Sequence, residues 1–180
     1  MRYAVFGTEL GYSGVVFSEQ DVEPKAVRVY LPSSRHSIEQ SIRALYPGTS
    51  EIKSGLPELC SLVQQFLKGD SVLIPFELVD ASVCCAFQLH VLRAEREISR
   101  GTVASYSWLA KRIGTRAVRA VGTALARNPF PVVVPCHRAV RSDGSLGGFQ
   151  GGLEMKRRLL EMEGVRFDSR GRVESRFLKR

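Results

Sequence analysis

Disulfide pairing, metal-ligand spacing and membrane-length apolar runs are all missing from this 180-residue sequence. Its 4 cysteines stand at 60, 84, 85 and 136, too sparse and, as an adjacent pair, wrongly spaced for a secreted disulfide scaffold. No CxxC or paired-histidine spacing points to zinc, and with 3 histidines in all nothing in the chain proposes a metal site. No stretch approaches the ~20 uncharged apolar residues of a membrane span. The opening Met1-Arg2-Tyr3-Ala4-Val5-Phe6-Gly7 is followed at once by Glu9, so it lacks the apolar core of a signal peptide. These absences predict a soluble, intracellular, cytoplasmic protein without a membrane partner. Internal repeats and low-complexity tracts are absent too.

What is present is ordinary in amount and uneven in placement. Hydrophobic residues make up 44% and charged residues 24%, both near globular averages. The length suits one large domain or two small ones with a real core. Net charge is +8, but residues 1–85 carry 7 Lys/Arg against 10 Asp/Glu (net −3) and residues 86–180 carry 19 against 8 (net +11). Such asymmetry suggests a polyanion partner for the second part, and a solvated basic surface accounts for it equally well. Six of those cations fall in residues 166–180, read as a mobile basic end.

The division into residues 1–85 and 86–180 also follows the patterning. In the first part, Tyr3-Ala4-Val5-Phe6, Gly14-Val15-Val16-Phe17 and Ala26-Val27-Arg28-Val29-Tyr30-Leu31 read as strands, and Val72-Leu73-Ile74-Pro75-Phe76 as one more. Ile38, Ile42 and Leu45 share one face of a helix over 37–45; Leu59, Leu62, Val63 and Phe66 do so over 56–67. This is an α/β domain without a reactive cluster. The second part is mostly helical. Phe87, Val91, Ala94 and Ile98 form an apolar stripe; a short helix over 105–113, capped by Ser105, breaks at Gly114; Thr115 caps the next, over 116–126. Two short helices joined at a glycine outline a helix-turn-helix. The second is rich in small residues, Ala117, Ala120, Gly122, Ala124 and Ala126, which permit close approach to another helix or to a nucleic-acid groove.

The chemistry concentrates in Asn128-Pro-Phe-Pro-Val-Val-Val-Pro-Cys-His-Arg138. Three prolines fix φ repeatedly, Val132-Val133-Val134 reads as a short buried strand, and Cys136 and His137 are delivered at its end. A lone cysteine after an apolar run is usually core; here the adjacent His137 and Arg138 offer charge stabilisation for a thiolate. A glycine-rich stretch over 142–152 follows, then a helix over 153–163 with Leu153, Lys156, Leu159, Leu160 and Glu163 at helical spacing.

Arg119-Ala-Val-Gly-Thr-Ala, Asn128-Pro, Pro135-Cys-His-Arg138, Gly151-Gly-Leu-x-x-Lys156 and Leu159-Leu-x-x-Glu163-Gly together resemble the O6-alkylguanine-DNA alkyltransferases, as does the Phe87-Gln88 … Gly101 … Ser105-Tyr106 opening. The resemblance covers roughly residues 86–165. It implies a variable N-terminal α/β domain with an RNase H-like sheet and a mostly α C-terminal domain with a winged-helix-like helix-turn-helix. It implies one irreversible transfer per molecule, from O6 of alkylguanine, and O4 of alkylthymine with it, in duplex DNA to the protein's own cysteine. It implies further that no cofactor or metal takes part, that the protein acts as a monomer and, in a prokaryote, is nucleoid-associated, and that the base is flipped out through the minor groove.

By that resemblance Cys136 is the acceptor, His137 takes the thiol proton through a water, Glu163 orients His137, and Asn128 bridges recognition helix and active-site strand. Tyr106 and Lys156 bind the base and assist the departing guanine. Arg119 enters the vacated stack. Tyr106, Ser107, Gln88, Ser142, Ala117 and Gly122 face the DNA, and Pro131, Ala139, Phe149 and Gln150 wall the pocket. Leu92 stands where many members have Trp, and Gln150 where others have a small residue, which bears on tolerance for bulky alkyl groups. Three rivals remain: a non-catalytic damage sensor, disfavoured by Cys136; a hydrolytic Cys–His enzyme; and a sequence-specific helix-turn-helix regulator.

Overall fold

The computed structural model describes residues 1–18, 23–53 and 55–179. They form two compact units, Met1–Val83 together with Pro129–Val133, and Cys84–Asn128 together with Val134–Arg180. The second unit is therefore interrupted by an excursion just ahead of the cysteine motif.

In the first unit β1 (Arg2–Thr8), β2 (Gly11–Phe17) and β3 (Ala26–Ser33) form an antiparallel meander, and β4 (Ser50–Glu51) joins β1 in parallel, giving the order β3-β2-β1-β4. Alternation explains the faces. Tyr3 and Val16 pack with Val27 on Ile38 and Ile42 of α1 (Arg35–Leu45), whose first turn is capped by the Ser34 side chain. The alternate residues Ala4, Val15 and Phe17 are buried as well, and α2 (Pro57–Lys68) packs on β1 with Leu59, Val63, Phe66 and Leu67 buried. Residues 72–76 are not the expected strand. Pro75 brings no N–H to a ladder, and the chain turns into a 3-10 helix over Phe76–Leu78, although Ile74 is still buried.

Residues 129–133 belong to this unit: Val29 N–H donates to Pro129 O at 2.8 Å, and Phe130 meets Phe76 edge to face at 6.4 Å. The valine run expected as a strand is instead a turn over 132–133, with Val132 at φ +75°. Flanking prolines override the β propensity of valine there.

In the second unit α3 (Ala86–Arg96) and α4 (Tyr106–Arg112) both pack on α5 (Val118–Ala126), which buries Val121, Ala124 and Leu125. The Ser105 hydroxyl accepts from Trp108 N–H at 3.0 Å and caps α4. Gly114 takes φ +73° at the break, but Thr115 is not the cap expected for the next helix, since α5 starts two residues later than predicted, at Val118. Ala124 is buried, so the open small-residue face is Ala117, Ala120, Gly122 and Ala126. Phe87, expected in the stripe of α3, is 39% exposed, and Leu153, expected in that of α6 (Gly152–Met162), is 54% exposed.

β5 (Ala104–Ser105) pairs in parallel with β6 (Ala139–Val140). The basic end is not loose. Val103 N–H donates to Phe177 O and Lys179 N–H to Val103 O, while Val165 and Val173 are buried with Val103, Val140 and Leu160. No helix among the described residues is long and apolar enough to cross a membrane.

Candidate functional site

The second unit converges on a 3-10 turn, Cys136–Arg138, closed by Arg138 N–H to Pro135 O at 2.8 Å. Asn128 lies two residues beyond α5, its N–H on Leu125 O at 3.1 Å. Its side-chain Nδ2 donates to Val134 O at 3.1 Å and to Cys136 Sγ at 3.3 Å. One fully buried amide thus joins the end of α5 to the sulfur.

His137 Nε2 lies 3.0 Å from Glu163 Oε1 at the C-terminal end of α6. Arg138, read in the sequence as a partner for a thiolate, instead holds that carboxylate, Nε on Oε2 at 2.9 Å and Nη2 on Oε1 at 2.7 Å, while its Nη1 donates to Ile98 O at 2.6 Å. All three side chains are at least nine-tenths buried.

Cys136, 5% exposed, lines a cleft of about 580 Å³. Tyr106, Arg119, Gly122, Phe149 and Gln150 line it too, as do Thr123 and Arg141, which sequence reasoning missed. Lys156 is wholly buried rather than solvated: its Nζ donates to Ala139 O and Leu146 O, both at 2.5 Å, and to Gly148 O at 3.2 Å, and sits 3.5 Å from Tyr106 Oη. This cage pins the glycine-rich segment beside the cleft. Gly147, at φ +66°, is part of the fit, for a Cβ there would come within 2.9 Å of the Tyr106 ring and hydroxyl.

The remaining predicted residues divide. Ser107 and Ser142 are exposed and linked hydroxyl to hydroxyl at 2.9 Å, and Ala117 is exposed ahead of α5. Gln88 donates from its amide to Ala124 O and Arg127 O at 3.1 and 3.0 Å, so it satisfies the last carbonyls of α5. Pro131 lies in the 129–133 excursion, and Ala139 is fully buried in β6, its carbonyl spent on Lys156. Gln150 donates to Asn128 O at 2.9 Å. No group of three or more potential metal ligands occurs among the described residues.

A family profile described as 6-O-methylguanine DNA methyltransferase, DNA binding domain, matches residues 86–165. A methylated-DNA–protein-cysteine methyltransferase of Methanothermobacter thermautotrophicus is 43% identical over 120 residues, 67% of this chain and 68% of its own. The chain belongs to the methylated-DNA–protein-cysteine methyltransferases. An inducible member from Bacillus subtilis is 36% identical over 75% of this chain and 78% of its own. The crystal structure of Mycobacterium tuberculosis OGT in complex with DNA has a TM-score of 0.74 at 26% identity, covering 91% of this chain and 92% of that one.

The electrostatics of this methyltransferase follow from burial. Burial pushes the Cys136 thiol up to about 12, against the lowering effect of the Asn128 hydrogen bond, so the resting sulfur is protonated. Burial lowers His137 below its ordinary value, which keeps the imidazole neutral. Burial alone would raise Glu163, but hydrogen bonds from His137 and Arg138 outweigh it and hold the carboxyl at about 2. An ionised Glu163 only accepts, so His137 Nε2 carries the hydrogen and Nδ1 is the basic nitrogen. Burial also raises Tyr106 to about 12, leaving its hydroxyl a donor, and lowers Lys156 to about 8.

Proposed function

We propose that this methyltransferase takes the alkyl group from O6 of guanine in duplex DNA onto Cys136, once per molecule, and O4-alkylthymine by the same chemistry. The observation that carries the reading is Cys136 on the wall of a cleft that also holds Arg119 and Tyr106, with a neutral imidazole next to it in the chain, tied to a clamped carboxylate.

The step balances without a cofactor. His137 Nδ1 takes the thiol proton through a water, Sγ attacks the alkyl carbon, the S–C bond forms as the C–O6 bond breaks, and the proton passes to the released guanine. The buried carboxylate steadies the imidazolium while it exists. The Tyr106 hydroxyl donates to the departing base, and Lys156 holds that hydroxyl and the loop in register.

O6 lies inside the duplex, so the base turns out, at a cost of a few kcal/mol, and Arg119 fills the gap. The fold reading that accompanies this is an RNase H-like sheet in the first unit and a winged-helix-like helix-turn-helix, α4 and α5, in the second. Ala117, Ala120 and Gly122 let α5 enter a minor groove ~6 Å wide, where readout is nearly independent of sequence. The net charge of +11 over residues 86–180 supplies phosphate contacts. The protein acts as a monomer. The DNA complex of the mycobacterial relative supports the choice of partner.

Incubation with a duplex containing O6-methylguanine, followed by intact-mass measurement, tests the reading. One added methyl per molecule, absent in Cys136→Ala, is expected. Repeated turnover would point to a hydrolase, and binding without transfer to a damage sensor.

A further inference from the structure

Glu95 is the one acid of α3 on its buried stripe, beside Val91, Leu92 and Ala94, and it is fully buried. Neither of its carboxyl oxygens has a hydrogen-bond partner among the described residues. Ionisable groups near it are numerous, yet the cations are committed elsewhere. Arg138 spends its nitrogens on Glu163 and Ile98 O, and Lys156 spends its ammonium on three carbonyls. α3 packs on the 3-10 turn of Cys136–Arg138, and the charge of Glu95 is felt at Cys136, Tyr106 and Lys156.

A buried carboxylate with no hydrogen bond is costly, and the group avoids that cost by keeping its proton. We infer that Glu95 is a positioning residue for alkyl transfer, an acid that stays neutral while the reaction runs and restrains Cys136 through its field when it ionises. This rests on the reading of Cys136 as the acceptor.

The surroundings give the sign. From the turn come Cys136, His137 and Arg138; from α6, Lys156 and Glu163; from the start of α4, Tyr106; beyond β6, Arg141. The buried face of α5, Val121, Ala124 and Leu125, holds nothing that titrates, and on α3 itself His90 and Arg93 are exposed and Arg96 half-buried. Burial raises Glu95 to about 8, with Lys156 and Arg138 pulling the other way. Below that pH the carboxyl is neutral and the ammonium of Lys156, itself lowered to about 8 and still charged there, favours the thiolate unopposed. Above it a negative charge appears beside the sulfur and opposes ionisation of Cys136. The gain in rate that alkali gives an ordinary thiol is therefore blunted in this protein.

The test is the single-turnover rate of methyl transfer to Cys136, read by mass on an O6-methylguanine duplex, from about pH 6.5 to about pH 9.5. Wild type is compared with Glu95→Gln, which has the size of the neutral acid, and with Glu95→Leu. Thermal melting and DNA affinity are followed beside the rates. The ratio of the Glu95→Gln rate to wild type is expected to climb about tenfold across that range, the effect of roughly one pKa unit on the thiol. A ratio that stays constant, however large or small, marks a purely structural role and overturns the inference. Should both variants fail to fold, iodoacetamide alkylation of Cys136 in wild type decides. A break near or above pH 8 that persists in Lys156→Met, which removes the other group titrating there, supports the inference; a break that vanishes with the lysine, or a single ionisation in wild type, overturns it. Absence of methyl on wild-type Cys136 at every pH overturns the underlying reading, and this inference with it.

Discussion

Arg138 grips Glu163 with two nitrogens, at 2.9 and 2.7 Å, and His137 meets the same carboxylate at 3.0 Å. The carboxylate that aligns the imidazole is thus itself fixed in plane by a bidentate partner. The pair is electrically neutral before any proton moves, so the proton gained by His137 meets a charge already in place.

That arrangement has a signature in acid. Glu163 titrates near 2 in the fold, against an ordinary 4.5, so its contribution to stability is complete above about 4.5 and is lost as pH falls towards 2. Melting temperatures measured from neutral pH down to about 3 are expected to fall more steeply for wild type than for Glu163→Gln, which has no carboxyl to protonate. Equal acid slopes would contradict the clamped carboxylate. Methyl transfer by Glu163→Gln is expected to drop about 10²- to 10⁴-fold, the usual worth of an aligned general base.

Lys156 is expected to matter for stability as well as rate. Lys156→Met leaves the carbonyls of Ala139, Leu146 and Gly148 without their shared donor, at about 2–4 kcal/mol in urea unfolding. Lys156→Arg keeps the charge but not the fit, since a planar guanidinium does not satisfy three carbonyls arrayed around one ammonium. Recovery of wild-type stability by Arg would argue against the cage.

Gly147→Ala places a methyl group 2.9 Å from the Tyr106 ring at φ +66°. A loss of about 1–2 kcal/mol and slower methyl transfer are expected, because Tyr106 must shift from the cleft. Affinity for undamaged duplex, measured by anisotropy, should change far less than the transfer rate.

Arg119 is exposed on α5 at the cleft. Arg119→Ala is expected to slow repair of duplex O6-methylguanine more than transfer from the free modified base. It also lowers the slope of log affinity against log salt by about 1 if it contacts phosphate as well. Equal losses on both substrates would contradict a role in displacing the base.

Legibility in the sequence depended on what kind of signal a residue carries. Cys136, His137 and Glu163 sit in motifs with fixed spacing, and the structure brings His137 and Glu163 together at 3.0 Å. Residues aligned by offset alone carry a weaker signal, because offset says nothing about which way a side chain turns: the Gln88 amide donates to the last carbonyls of α5, and Ser107 and Ser142 are exposed and bonded to each other. The strands over 2–8 and 11–17 showed as short β-rich runs, Tyr3–Phe6 and Gly14–Phe17, bounded by turn residues. The valine run did not become one, since local propensity yields to prolines on either side. Glu95 lies four residues after Val91 on the apolar stripe, but a charged letter in that register reads as solvent-facing. Only the packed fold reveals it as buried.

Residues 166–179, for all their arginines, are stitched into the second unit. Val173 N–H donates to Gly144 O at 2.9 Å, and Lys179 Nζ stands over the Trp108 ring at 4.9 Å. Shortening the protein ahead of Val173 would pull a backing strip from the turn at Gly144, just ahead of the cleft-lining residues 147–150, and a buttress from α4 at the same time. The C-terminus is in this sense part of the reaction chamber's frame, and its cations sit on scaffolding rather than on a trailing thread.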